Sequence, residues 1–214
     1  MNKKTKITQI LSRLTARYPL ADCTLEYADE PYKLLIMARL AAQCTDARVN
    51  IVAKELFRQF KSIEDFANAD LQKLEKAVFS CGLYKTKAKN IKDMCRILIN
   101  KHDSKVPENM DDLLKLPGIG RKIANLILGD VFGKPAIVTD THCIRISNRL
   151  GLCDSKNPYT VEKQLLKIIP PEQSNDFCHR LVFFGREVCK AQNPKCEECF
   201  LKDLCKLFLF CKNK

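Results

Sequence analysis

The sequence predicts an all-α protein, and three observations support this fold class. Apolar residues recur at helical spacing in one segment after another along the chain. Residues that cap helix N-termini precede several of these segments, and glycines follow some of their ends. Signals for β-strands are almost absent, since only residues 136–139 combine β-branched and apolar side chains. The chain has 214 residues, 46% of them hydrophobic, so it can bury a sizeable core in one or two compact domains.

The predicted helices differ in how much of their surface is apolar. The first, residues 1–17, is lysine-rich with one apolar stripe, a pattern that fits an ordinary first helix better than a transit peptide. Pro31 opens a helix whose residues 32–42 are apolar nearly all round, so it should lie in the middle of a core. Asp70 is the expected N-cap of the helix that follows it. Further helices are predicted over residues 48–60, 71–80, 85–100, 142–150, 161–169 and 177–189.

A helix-hairpin-helix is predicted within residues 111–142, which read DDLLKLPGIGRKIANLILGDVFGKPAIVTDTH. The helical pattern ends at Leu116 and resumes over residues 121–131. The hairpin between them consists of Pro117, Gly118, Ile119 and Gly120. Two glycines one residue apart let the backbone turn through conformations closed to other residues. Backbone N–H groups then gather at the N-terminus of the second helix, where they can bind a phosphate oxygen.

Two residues of this stretch can carry chemistry. Lys122 lies in the first turn of the second helix, where the positive end of the helix dipole disfavours the ammonium form and makes the amine a better nucleophile. Asp140 precedes the next predicted helix, so it can act as an N-cap, where a carboxylate stays ionised. The structural alternatives are a solvated surface lysine and a plain helix cap, and the second is compatible with catalysis.

The net charge of +12 favours a polyanionic partner, but basicity alone does not distinguish DNA from RNA or a membrane surface. No stretch is long and apolar enough to span a bilayer, and the N-terminus lacks the apolar core of a signal peptide. The sequence therefore predicts a cytoplasmic protein with no signal or transmembrane segment.

The twelve cysteines divide into a compact set and a scattered set. The compact set, Cys189, Cys196, Cys199 and Cys205, has the spacing C-x6-C-x2-C-x5-C and can surround one metal centre. Four thiolates suit either structural zinc or an iron–sulfur cluster, and the spacing alone leaves both open. Most of the others fall in or next to apolar helical segments, where cysteine behaves as a small hydrophobe. Cys211 has no assigned role.

The hairpin sequence LPGIGRKIAN, the TDTH at residues 139–142 and the cysteine spacing resemble those of the endonuclease III family. These enzymes are base-excision DNA glycosylases of the helix-hairpin-helix superfamily with an associated AP lyase activity. The resemblance covers the whole chain and implies two helical domains flanking a cleft, with Lys122 and Asp140 on opposite walls. Residues 24–134 would form a six-helix domain that ends in the hairpin helices, 111–131. Residues 1–23 and 135–214 would form the second domain, which carries a [4Fe–4S] cluster in the loop 189–205.

Two more stretches match this family. LAAQCTD, residues 40–46, resembles a loop in which a glutamine, here Gln43, fills the gap left by an extruded nucleotide. CGLYKTKAKNI, residues 81–91, resembles a loop that wedges an apolar side chain, here Leu83, into the opposite strand. On spacing alone, Gln43 would be a helix-terminal polar residue and Leu83 a packed core residue. An enzyme that acts on a base must extrude it from the duplex and fill the gap, so both roles are needed.

The resemblance also implies the substrate and the mechanism. The hairpin amides and two lysines of the cysteine loop, Lys190 and Lys195, would hold the DNA backbone. Lys122 would attack C1′ of a nucleotide carrying an oxidised pyrimidine. Asp140 would stabilise the positive charge, and β-elimination would cut the strand. The expected partner is double-stranded DNA with damaged bases or abasic sites, bound by a nucleoid-associated monomer that does not bind membranes. The alternatives are a non-catalytic DNA-binding module, an adenine-mismatch glycosylase and a zinc-stabilised nuclease.

Two positions depart from the family's pattern. Cys44 stands where alanine is common, and Thr139 stands where an apolar residue often precedes the aspartate. Neither departure removes a group that the mechanism requires.

Overall fold

A computed structural model describes residues 2–212, and its regular structure is entirely helical. The all-α prediction is therefore confirmed. Met1, Asn213 and Lys214, which fall in the predicted second domain, lie outside the described residues. Among the described residues, no helix combines the length and apolar character needed to cross a lipid bilayer.

The α-helices of the described chain are α1 (Lys3–Arg17), α2 (Pro31–Leu40), α3 (Asp46–Gln59), α4 (Ile63–Asn68), α5 (Leu71–Val78), α6 (Tyr84–His102), α7 (Met110–Leu114), α8 (Arg121–Asp130), α9 (Thr141–Leu150), α10 (Pro158–Leu166), α11 (Ser174–Glu187) and α12 (Lys206–Lys212). Short 3-10 turns follow α5, precede α11 and precede α12. By its internal contacts the chain divides into two compact units, one of residues 23–133 and one formed by the chain on either side of it.

The unit of residues 23–133 is built around α2, whose leucine, isoleucine and methionine side chains are fully buried. This helix contacts α3, α6 and α8, while α6 also packs against α4 and α5. A helix that is apolar nearly all round must be surrounded by other elements, and α2 follows this rule. Helices α7 and α8 contact each other and form the predicted hairpin. Helix α4 was not predicted, because six residues are too few to display a helical period, although Ser62 supplies a regular N-cap.

The other unit joins the N-terminal helix to the C-terminal third of the chain. Helix α1 packs against α11 and buries Ile10 and Leu14, and α9 packs against α11 and α12. Arg13 of α1 forms a two-point ion pair with Asp203, at 2.6 and 2.9 Å. Helix α12 was not predicted from the sequence.

Residues 136–139, whose composition suggested a strand, are extended but pair with no strand in the described chain. Their backbone instead bonds to side chains of α11. The Ala136 N–H donates to Ser174 Oγ at 3.1 Å, and the Val138 N–H donates to Cys178 Sγ at 3.2 Å. These bonds satisfy a buried backbone and fix the chain immediately before Asp140.

Candidate active site and metal centre

The hairpin between α7 and α8 depends on Gly118. Its φ of +77° is a left-handed conformation that favours glycine, and a Cβ there would collide with the Arg39 side chain and lie 2.7 Å from Asn90 Oδ1. Those two side chains are themselves joined, since Arg39 Nε and Nη2 donate to Asn90 Oδ1 at 3.1 and 2.9 Å. Gly120 differs, because its φ is −99° and nothing lies within 4 Å of an added Cβ. The expectation that both glycines serve special backbone conformations is therefore correct only for Gly118.

Helix α8 begins without a side-chain cap. Its N-cap is Gly120, and its first backbone bond runs from the Ala124 N–H to Gly120 O at 3.0 Å. Lys122 lies in the first turn, as predicted from the sequence, and its side chain is exposed. Ile119 is buried, so this hairpin residue can reach a ligand only through its backbone. The first turn of α8 therefore presents an amine and backbone donors to the outside.

Asp140 is the N-cap of α9, as the sequence suggested. Its side chain is half-buried and accepts a hydrogen bond from the Cys143 N–H at 2.7 Å. The Asp140 N–H donates to Val138 O at 3.0 Å, which closes a tight turn centred on Thr139. One carboxylate oxygen thus caps the helix, and the carboxylate can still act on a ligand through its second oxygen.

Two turns expose the residues expected to enter DNA. Gln43 lies between α2 and α3 with φ +57°, and Leu83 lies before α6 with φ +48°. Left-handed backbone is uncommon for residues other than glycine, so both positions are strained. Leu83 is 56% exposed, so the reading of it as a core residue is wrong. Phe79, 61% exposed, lies on the same turn with its ring 4.8 Å from that of Tyr84, and the sequence did not single it out.

The four cysteines of the compact set line one cavity in the C-terminal unit. Its other walls include Phe184, Val188 and Leu207, and the cavity is partly open to solvent. Burial raises the pKa of the Cys196 and Cys199 thiols, so both are protonated at neutral pH until a metal displaces the proton. Four convergent thiols in a largely apolar pocket form a donor set that fits an iron–sulfur cluster. Within residues 2–212, no group of three or more His, Cys, Asp or Glu side chains is arranged around a single-ion position.

Two arginines of α9 bind the cysteine loop, residues 189–205. Arg149 donates to Cys189 Sγ at 3.3 Å, to Lys190 O at 2.6 Å and to Ala191 O at 2.9 Å. Arg145 donates to Cys189 O at 3.0 Å. Helix α9 therefore carries Asp140 at one end and positions the loop at the other. This loop also carries the two lysines predicted to contact DNA. Both of them, Lys190 and Lys195, are exposed.

Comparisons with known proteins agree with this geometry. A family model described as HhH-GPD superfamily base excision DNA repair protein matches residues 36–171, and the model for the iron–sulfur binding domain of endonuclease III matches residues 189–205. The class is therefore that of the helix-hairpin-helix base-excision repair proteins. The prediction of a [4Fe–4S] cluster rather than zinc is confirmed.

Comparison with individual relatives identifies the family within this class. The chain is 44% identical to Endonuclease III of Bacillus subtilis (strain 168) over 197 residues, 92% of this chain and 90% of the relative. The structure of a non-covalent Endonuclease III–DNA complex matches with a TM-score of 0.92 and 44% identity, covering both chains fully. A trapped covalent Endonuclease III–DNA intermediate gives the same TM-score and identity over 99% of this chain and 100% of that chain. The chain belongs to the endonuclease III family.

Proposed function

We propose that the protein is a bifunctional DNA glycosylase and AP lyase that removes oxidised pyrimidines from duplex DNA. The observation that carries this proposal is Lys122, an exposed amine in the first turn of a helix that begins without a side-chain cap. A non-catalytic hairpin needs only the backbone amides, whereas an exposed amine beside them supplies a nucleophile. The covalent intermediate seen with a relative supports a mechanism in which the enzyme bonds to DNA.

Binding begins with the sugar–phosphate backbone. The first-turn amides of α8 and the hairpin residues Pro117, Gly118, Ile119 and Gly120 hold one phosphate group, with Ile119 contributing through its backbone. Lys190 and Lys195 hold others as point charges. Gln43 fills the gap left by the extruded nucleotide, and Leu83 wedges between bases of the opposite strand.

The chemistry then takes place at C1′ of the extruded nucleotide. The neutral amine of Lys122 forms a bond to C1′ as the bond from C1′ to the base breaks, and opening of the sugar ring gives an imine. The carboxylate of Asp140 stabilises the positive charge that develops on the sugar and helps the amine exchange protons. Loss of a proton from C2′ then expels the 3′ phosphate, which cuts the strand 3′ to the lesion.

The cluster has a structural role in this proposal. Cys189, Cys196, Cys199 and Cys205 hold it, and when bound it supplies metal–thiolate bonds that keep the loop folded. All four ligand positions are filled by protein, so no position is left for a substrate. The loop in turn carries the two DNA-binding lysines. We further propose that the two compact units are separate domains and that the protein acts as a monomer.

The experiment uses three duplexes, which carry an oxidised pyrimidine, an abasic site or an adenine mismatch. Base release and strand cutting are measured separately on each. The proposal expects base release and cutting on the first duplex, cutting on the second and no reaction on the third. Base release from the third duplex alone would identify an adenine-mismatch glycosylase, and binding without reaction on any of them would identify a non-catalytic module.

A further inference from the structure

Lys87, near the start of α6, is fully buried, which is rare for a lysine. Its ammonium donates to two backbone oxygens, Leu40 O and Cys81 O, each at 2.8 Å. Leu40 is the last residue of α2, and Cys81 is the last residue of the 3-10 turn that precedes α6. Both oxygens therefore belong to C-terminal ends, where carbonyls lack a partner within their own helix and the backbone carries a partial negative charge.

The surroundings of Lys87 show that the amine serves these carbonyls. Burial lowers its pKa, and the nearby groups that act on its charge are Cys44, Cys81 and Arg39, none of them a carboxylate. A hydrophobic side chain would avoid the cost of burying the charge, so the amine has a role that packing alone does not require. Lys87 does not reach the surface and cannot touch a phosphate, so it is not a DNA-binding lysine.

Each of the two carbonyls lies just before an exposed residue in left-handed conformation. Leu40 precedes Gln43 by three residues, and Cys81 precedes Leu83 by two. The thiols of the two turns are also electrostatic neighbours, since burial, with Cys44 nearby, raises the pKa of Cys81 to about 11. One buried amine thus connects the turn of Gln43 to the turn of Leu83.

We propose that Lys87 is a positioning residue that holds these two turns at a fixed spacing, so that Gln43 and Leu83 enter the duplex together. The inference rests on the proposed function of those two side chains. Left-handed backbone at residues other than glycine persists only where surrounding contacts impose it, and the two Lys87 bonds are such contacts. Without them the turns relax, and nucleotide extrusion loses the support that both side chains give at once.

The test is Lys87→Met, which keeps the length of the side chain and removes its N–H donors. A fluorescent purine analogue in the strand opposite the lesion reports unstacking of the bases when the enzyme inserts. We expect a loss of most of this signal and a fall in kcat for base release of roughly 10- to 100-fold, since small misplacements of positioning groups have effects of this size. The salt dependence of DNA binding should not change, because no phosphate contact is removed.

Lys92→Met is the matched control. Lys92 lies on the same helix and donates to a backbone oxygen after α4, Ala69 O, so its replacement removes a similar bond away from the two turns. It should leave the fluorescence signal intact. If Lys87→Met keeps the signal and the rate, or if Lys92→Met loses them equally, Lys87 has no positioning role. Should Lys87→Met not fold, Lys87→Gln and Lys92→Gln are compared in the same way, and only a larger loss in the first supports the proposal.

Gln43→Ala and Leu83→Ala separate this inference from the function it rests on. If both variants keep the full signal and rate, these side chains do not enter the duplex and the proposed role of the turns is wrong. If they lose the signal while a folded Lys87→Met protein retains it, the turns act as proposed and only the inference about Lys87 is wrong.

Discussion

Helices α8 and α9 are consecutive, each has ten residues, and each carries a proposed catalytic residue at its N-terminal end, yet they begin in opposite ways. The carboxylate of Asp140 accepts the Cys143 N–H and so occupies a first-turn donor of α9. Gly120 offers no side chain to α8, whose first-turn amides are left without that partner. The start of α9 is thus satisfied by the protein itself, while the start of α8 is suited to an external anion.

This difference determines what a substitution at each end removes. Lys122 is exposed and caps nothing, so its replacement should change chemistry and leave stability nearly unchanged. Asp140 both caps α9 and carries the negative charge that is proposed to act in catalysis. Its replacement should therefore lower both stability and rate, unless the new side chain still accepts the capping hydrogen bond.

Lys122→Gln should abolish strand cutting, because an amide cannot form an imine with C1′. Borohydride added during turnover should fix the wild-type protein covalently to a lesion-bearing strand and should leave the variant unattached. DNA binding and thermal stability should largely survive, since the hairpin amides remain and exposed substitutions usually change stability by less than about 0.5 kcal/mol. An adduct that forms at the native rate in the folded variant would assign the nucleophile to another amine.

Asp140→Asn should slow base release by roughly 10²- to 10³-fold, because an amide cannot stabilise positive charge as a carboxylate does. It should keep the fold, since asparagine also caps helices. Asp140→Ala should show a similar rate loss and, in addition, a loss of about 1 kcal/mol of stability with the cap. Single-turnover rates and denaturant unfolding of the two variants separate the two roles. Equal stability of both variants would mean that the bond to the Cys143 N–H contributes nothing.

Cys199→Ser removes one of the four proposed thiolate ligands, in the loop that the arginines of α9 hold. Metal binding energy is also folding energy, so the purified variant should lose colour and thermal stability together. Iron content and a thermal scan are the measurements. A colourless variant with the stability of the wild type would rule out a structural role for the cluster.

Gly118→Ala and Gly120→Ala compare the two hairpin glycines. The first should cost about 2 kcal/mol or more, because it combines left-handed backbone with a clash against Arg39 and Asn90. The second should cost only about 0.5 to 1 kcal/mol as a poorer N-cap and should weaken DNA binding if its methyl group faces the bound phosphate. Denaturant unfolding and binding to an abasic duplex test the pair. Equal losses of stability would contradict the distinction drawn between the two glycines.

Lys195→Ala should give the smallest effect, a modest weakening of binding to every duplex. The slope of log affinity against log salt should fall by roughly 0.9 if one phosphate contact is lost. Binding titrations at several salt concentrations measure it, with Lys190→Ala as a neighbour for comparison. An unchanged slope would place Lys195 away from the DNA.

The sequence predicts the helices and the hairpin well, because helical periodicity and capping residues are local signals. It could not predict that Gln43 and Leu83 adopt left-handed backbone, since only packing around a turn imposes that conformation on such residues. Similarly, a lysine in an amphipathic helix is expected at the surface, so the burial of Lys87 follows only from the tertiary contacts of α6. Leu83 is exposed, as the wedging role implied by the resemblance requires, although spacing alone placed it in a core.

The N-terminal ends of the helices also show which features can be predicted from the sequence and which cannot. Asp140 could be recognised as an N-cap because its residue type and its position before a helix are both visible in the sequence. The difference between Gly118 and Gly120 could not be recognised from the sequence, because it depends on Arg39 and Asn90, which are distant in sequence. The roles of Lys122 and Asp140 remain predictions.

The pairing of α1 with α11 has a consequence for biosynthesis. Residues 23–133 form a continuous stretch that can fold as soon as it leaves the ribosome, because domains generally fold as units during synthesis. Helix α1 is made first, but its partner α11 begins at Ser174, so its apolar face stays uncovered while more than half of the chain is translated. Contacts between such distant segments form slowly because a long loop must close first. The nascent chain therefore exposes Ile10 and Leu14 for longer than any apolar side chain of the continuous unit. A holding chaperone would protect the nascent chain most by binding α1.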